Sequence, residues 1–167
     1  MKKNIDRNYL EIYSLSELVE PECPTDEYMV SLIDPPDFQL NKFFYKTIGK
    51  KHRWVDRLIW TEKQWVEYTT NKNVKTYTLK KTDDLVGYFE LIIHKENNEI
   101  EIAYFGILEE YHNKKLGSFL LSNAIKKSFM FSPKRVWVHT CSLDHKNALK
   151  NYLSRGMKIF KTETISI

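Results

Sequence analysis

Several kinds of residue pattern are scarce or missing here, and each absence removes a class of function. Cysteine occurs only twice, at Cys23 and Cys141. Two thiols make neither a disulfide framework nor a cysteine metal cluster, so reduced thiols in a cytoplasmic protein are expected. No stretch approaches the roughly 18 consecutive apolar residues of a membrane helix, and no membrane partner is expected. The opening MKKNIDRNYLEIYSL lacks the continuous apolar core of a secretion signal. No His, Cys, Asp or Glu spacing resembles a metal site, and there is no repeat or low-complexity tract. Charge of one sign is also modest. Lys and Arg number 26 against 22 Asp and Glu, for a net charge of +4. That suits an anionic small-molecule cofactor and falls well short of a nucleic-acid surface.

What is present describes a globular protein. Hydrophobic residues are 42% and aromatics 14% of 167 residues, enough for one domain spanning 1–167 with a substantial core. Alternating apolar residues predict strands at 9–13, 28–33, 74–79, 85–94, 99–107, 135–140 and 157–165. Asp37 and Thr61 stand where helix N-caps would, ahead of amphipathic runs at 38–48 and 62–69. Asp144 is read the same way, capping a helix that carries Ala148, Leu149, Tyr152 and Leu153 and closes at Gly156. Short turns between the central strands predict antiparallel pairing. The strand at 135–140 follows a crossover helix and should lie parallel to the strand ending at 107. The fold class is therefore α+β.

The chain is organised around residues 99–121, EIEIAYFGILEEYHNKKLGSFLL. Alternation places Ile100, Ile102 and Tyr104 on one strand face and Glu99, Glu101, Ala103 and Phe105 on the other. A polar turn at 109–115 leads into a helix opening near Lys115, with Leu116, Phe119, Leu120 and Ala124 at helical spacing. Strand, turn and helix N-terminus make an anion site, because the first helical turn has free N–H groups and the positive end of the dipole. Gly117 allows a ligand close to the backbone.

The run from Ile107 to Leu121 resembles the acyl-CoA pyrophosphate loop of the GCN5-related N-acetyltransferases, Gln/Arg-x-x-Gly-x-Gly/Ala. His112 occupies the Gln/Arg position, Lys115 the first Gly and Gly117 the second. Farther on, 147–157 is similar to the family's closing pattern. Ala148, Tyr152 and Gly156 are in place, His145 stands where an Asn usual to the family would, and Met157 where a Phe would. Residues 135–145 and 54–60 also resemble those of one bacterial branch.

The resemblance implies the acyl-CoA N-acyltransferase fold, a mostly antiparallel mixed sheet splayed at two parallel strands with flanking helices. It implies acetyl transfer from acetyl-CoA to a primary amine, on a small molecule or peptide, by direct attack. The alternative is a non-catalytic module that binds or senses CoA. Residues 1–80 would form the acceptor-side half and 81–167 the cofactor half, in a monomer or homodimer. The cofactor would be held by Ile107, Leu108, His112, Asn113, Lys114, Lys115, Leu116, Gly117, Ser118 and Asn147. Glu101, in a run similar to the central strand of histone-acetylating members, would take the amine proton, and Tyr152 would protonate the departing thiolate. A covalent route through Cys141 and His139 is disfavoured.

Trp54, Trp60 and Trp65 fall within twelve residues, interleaved with Arg53, Asp56 and Arg57. They form either an acceptor wall or core with surface ion pairs. A base-stacking surface is a remoter option, and no nucleic acid is expected as a partner. The acceptor contacts expected are Trp54, Arg57, Tyr104 and His139. A positive φ at Lys115 would cost roughly 1 kcal/mol.

Overall fold

The structure, a computed structural model, describes residues 2–167. Seven strands form one sheet: β1 (Asn4–Ile12), β2 (Tyr28–Leu32), β3 (Val74–Lys81), β4 (Asp84–His94), β5 (Glu99–Ile107), β6 (Arg135–Cys141) and β7 (Lys158–Ser166). Four helices flank it: α1 (Phe38–Gly49), α2 (Glu62–Thr70), α3 (Leu116–Phe129) and α4 (Ala148–Ser154). The strand order is β2-β3-β4-β5-β6-β1-β7. Every pairing is antiparallel except β5 with β6. The α+β class and the parallel step after the crossover helix are as read from the sequence.

The parallel ladder is short. It joins Glu99–Arg135, Ile100–Val136 and Glu101–Trp137 and goes no further. Beyond Glu101 and Trp137 the two strands diverge, and the gap between them opens toward the N-terminus of α3. β1 crosses to the far side of the sheet and lies between β6 and β7, pairing with both. It does not neighbour β2, the next strand in the chain.

Each sheet face has its own core. Leu116, Leu120, Leu121, Ala124 and Ile125 of α3 pack on Leu10, Phe89, Leu91, Ile100, Ile102, Val136 and Val138. Phe44 and Ile48 of α1 pack on Tyr88 and Leu108. Phe89 and Tyr88 are successive residues of one strand, so these clusters lie on opposite faces. Gly106 lets α1 approach: a Cβ there would meet Ile48 Cγ2 at 2.8 Å.

A β-bulge changes the facing of β5. Glu90 pairs with Tyr104 while Leu91 pairs with Ile102, which leaves Ala103 without a partner. One extra residue reverses the alternation beyond it. Tyr104 therefore packs with the α1 cluster and Phe105 with the α3 cluster, correcting the simple alternation that grouped Tyr104 with Ile100 and Ile102. The result is functional placement, since Glu101 and Tyr104 now share a face.

Two of the three predicted caps form. The Asp37 carboxylate accepts from Gln39 N–H, and Thr61 with Gln64 makes a capping box. Asp144 does not cap α4, which starts only at Ala148. Its carboxylate accepts from Cys141 N–H at 3.0 Å and from the Thr140 hydroxyl, so it closes the turn leaving β6.

Candidate functional site

The gap between β5 and β6 opens into a cavity of about 870 Å³ that runs from the start of α3 to the loop joining α1 and α2. Fourteen of the sixteen residues expected at a site line it: Trp54, Arg57, Glu101, Tyr104, Ile107, His112, Asn113, Lys115, Leu116, Gly117, Ser118, His139, Asn147 and Tyr152. Leu108 and Lys114 stand outside its wall. Leu108 is buried beneath α1, with its N–H donated to the Val86 carbonyl at 2.8 Å. The Lys114 ammonium lies 5.5 Å from the centre of the Tyr111 ring.

At one end is an anion cradle. Asn113 and Lys115 both adopt left-handed backbone, at φ 62° and 60°, which turns successive amides into a concave nest. Among the described residues, no main-chain or side-chain acceptor takes the N–H of Asn113, Lys114 or Lys115. The first-turn amides of α3 are unpaired by helix geometry. Lys115 thus carries the strain of roughly 1 kcal/mol that a glycine would avoid. Its side chain does not block the cradle, because the ammonium points to the Glu22 carboxylate at 3.4 Å in solvent.

A Cβ on Gly117 would touch the protein only at Asn151 Nδ2, at 3.7 Å. The space a ligand needs there is open. Replacing Gly117 with Val should therefore leave the melting temperature nearly unchanged, which a thermal scan would measure, while filling the space a ligand would use at the α3 amides. Asn151 adds a feature that sequence reading missed. Asn151 lines the cavity, and its Oδ1 is buried without a hydrogen-bond partner, an acceptor free for a ligand N–H. The available signal was its position next to Tyr152 within the closing pattern.

Three histidines ring this end. The His112 ring donates from Nε2 to the Ile107 carbonyl at 2.9 Å, and the His52 ring from Nδ1 to the Leu143 carbonyl at 3.2 Å. The His145 ring lies 5.2 Å from His112 and 6.2 Å from His52, and its Nδ1 accepts from Asn147 N–H. Burial, then the neighbouring His112, His52 and Lys146, hold His145 below the usual imidazole pKa. His139 is lowered by burial and then by Arg7. Both residues gain a proton more readily when unfolded. Stability is therefore full above about pH 6.5 and is lost as pH falls through the folded values. Melting scans from pH 8 to pH 5 should show a declining midpoint below about pH 6.5, and His145→Gln should shallow that decline.

Tyr152 sits inside the cavity on α4, 6% exposed, with its ring 6.3 Å from Phe105. Burial and then Asp144 push its hydroxyl pKa upward. It is a protonated donor throughout the neutral range. Glu101 is half-buried on the facing strand, its Oε1 3.0 Å from His94 Nε2, and the His94 ring stacks on Trp137. Cys141 and His139 both line the cavity from β6.

The other end is an aromatic wall built around an ion pair that the sequence reading did not find. Glu90 is fully buried and accepts from Arg57, Asn41 and Tyr68. The Arg57 guanidinium lies between the rings of Tyr68 and Tyr104, at 4.1 and 4.2 Å, with Trp60 at 4.8 Å. Burial is the largest single effect and opposes its charge; Glu90, Tyr68 and Tyr104 together outweigh it and raise its pKa. Trp54 packs on Tyr104 at 4.9 Å. Trp65 belongs to the core, 1% exposed. The tryptophans thus divide between wall and core. Among the described residues, no group of three or more His, Cys, Asp or Glu is placed to hold a metal ion. No helix among them is long and apolar enough to cross a membrane.

A mixed sheet splayed at its one parallel pair, with a helix N-terminus facing the gap, defines the architecture of the acyl-CoA N-acyltransferases. Residues 36–157 match the model of the acetyltransferase (GNAT) family, and the chain belongs to that family. Solved structures agree in fold. A GCN5-related N-acetyltransferase from Sphaerobacter thermophilus superposes with a TM-score of 0.73 at 14% identity, covering 99% of this chain and 52% of that one. One from Kribbella flavida gives 0.67 at 13%, covering 96% and 56%. An aminoglycoside acetyltransferase from an uncultured soil metagenomic sample gives 0.65 at 12%, covering 78% and 88%. The chain spans about half the length of the first two. No curated protein matches it.

Proposed function

We propose that this chain transfers an acetyl group from acetyl-CoA to a primary amine by direct attack. The observation that carries the reading is the single cavity joining unpaired amides at the head of α3 to Tyr152 and Glu101. The amides from Asn113 to Ser118 would hold the diphosphate, with Asn147 and Asn151 along the arm. Bound there, acetyl-CoA supplies the activated acetyl thioester. Glu101 removes the proton from the acceptor amine, directly or through one water, and its hydrogen bond to His94 fixes the carboxylate. The Tyr152 hydroxyl donates a proton at the opposite side of the cavity. Trp54, Tyr104 and the caged Arg57 form the acceptor wall and limit water, and His139 is a neutral wall group. The acceptor half, 1–80, and cofactor half, 81–167, belong to this proposal, with β1 as the one segment of the first half seated among strands of the second.

Thiol release with acetyl-CoA and a panel of amines tests it. Glu101→Gln should lower turnover roughly 100-fold and flatten the acidic limb of the pH–rate profile. An unchanged limb would clear Glu101 of the base role. The strained Lys115 favours one second reading, a CoA-binding module without turnover. Acetyl-CoA binding without thiol release for any amine would select it.

A further inference from the structure

Arg7 of β1 has no function in the mechanism above, yet it lines the cavity half-buried. Its Nε is buried without a hydrogen-bond partner, and among the described residues no carboxylate forms an ion pair with it. Arg53 also lines the cavity without an ion pair among the described residues, but it is exposed to solvent, and other arginines of the sheet and wall are paired or lie elsewhere. Arg57 is paired with Glu90, and Arg135 with Glu11 and Glu99. Arg155 also has buried unpartnered nitrogens, but it stands outside the cavity wall.

The carboxylates around Arg7 are engaged elsewhere. Glu163, its register partner on β7, takes the Tyr9 hydroxyl at 3.1 Å and the Lys161 ammonium at 2.6 Å. Asp144 takes Cys141 N–H and the Thr140 hydroxyl, and Glu101 takes His94. The neighbouring His139 is neutral near pH 7, being lowered by burial and by Arg7 itself. Glu163 lies within electrostatic range of Arg7 but makes no ion pair with it, so a ligand carboxylate would give this half-buried cation the direct partner it lacks.

Register places this charge relative to the base. Arg7 is opposite Cys141 on β6, and Glu101 is opposite Trp137. Both lie on the face opposite Val136 and Val138, with His139 between them along β6 and within electrostatic range of both. Four residues along β6 and two inter-strand spacings across it separate the two positions, about 16 Å between main chains. The side of the cavity along β6 is therefore dipolar, negative at Glu101 and positive at Arg7. Ile5, Ile165 and Ile167 line its positive end.

Resting on the transferase reading, we infer that the acceptor is an amine that also carries a carboxylate, an amino acid or short peptide, with its amine at Glu101 and its carboxylate on Arg7. The guanidinium fork matches a carboxylate in two parallel hydrogen bonds.

The test varies the acceptor before it varies the protein. Amino acids of increasing amine-to-carboxylate spacing and short dipeptides are compared with their C-terminal amides and decarboxylated amines, reading thiol release from acetyl-CoA. The carboxylates should show a KM roughly 10- to 100-fold lower than their neutral counterparts. Arg7→Met should erase that preference, raising KM for the acids alone, and Arg7→Lys should restore part of it. The acetyl-CoA dissociation constant should stay within about threefold. Equal KM for acids and amides in the wild type overturns the inference while leaving the transferase reading intact. Weakened acetyl-CoA binding in Arg7→Met also overturns it, since Arg7 would then serve a cofactor phosphate. No thiol release with any acceptor overturns the transferase reading, and the inference with it.

Discussion

Replacing Arg57 with Met should destabilise the protein by about 3–5 kcal/mol, because the change leaves Glu90 charged, buried and without its cation. Glu90 has no exposure, and its other partners, Asn41 and Tyr68, are neutral. Asn41 Oδ1 is already buried without a partner, so the cluster has little capacity to rearrange. The same change removes the cation between the Tyr68 and Tyr104 rings. The main-chain N–H at this position, which donates to the Tyr45 hydroxyl at 3.0 Å, is kept in the variant, so the effect reports the side chain. Against a total stability of about 5–15 kcal/mol, the loss is a large fraction. For a chain of this size the melting midpoint should drop by roughly 10 °C. Pairing it with Glu90→Gln should recover part of the loss, since the uncompensated charge is then gone. A single variant that melts like the wild type would show that the pair does not anchor the acceptor wall.

Replacing Tyr152 with Phe should lower kcat roughly 100-fold or more while acetyl-CoA affinity stays within about threefold. The substitution keeps the ring and its packing against Phe105 and deletes only the hydroxyl. Because burial and Asp144 hold that hydroxyl protonated, its loss removes a proton donor and no charge. Stability should change little. Stopped-flow turnover with equilibrium binding separates the two effects. A rise in the dissociation constant matched to the fall in rate would make Tyr152 a binding residue.

How much of this was legible in the sequence depended on range. Features set by a few adjacent residues were readable. Asp37 and Thr61 cap their helices through local side-chain bonds, and the run into α3 carries the strand, turn and helix periodicities in order. Features that depend on a partner strand were not. The bulge at Ala103 exists only in the register of β5 against β4, and it alone brings Tyr104 to the face of Glu101. The Arg57–Glu90 pair joins residues 33 apart in the chain, and nothing near either one names the other. Arg7 acquires its meaning only because β1 crosses to lie beside β6. Asp144 shows a local rule overruled: its carboxylate could serve a helix or the turn before it, and the strand-end amides of β6 were nearer.

The central claim is that the amides heading α3 and the cavity beyond them hold acetyl-CoA, and thermal melting with acetyl-CoA tests it most directly. At about 100 times the dissociation constant, the ligand should add about 2.7 kcal/mol of stability to the wild type, and clearly less to Gly117→Val at the same concentration. A wild-type midpoint that does not move at millimolar acetyl-CoA would contradict the account at its root.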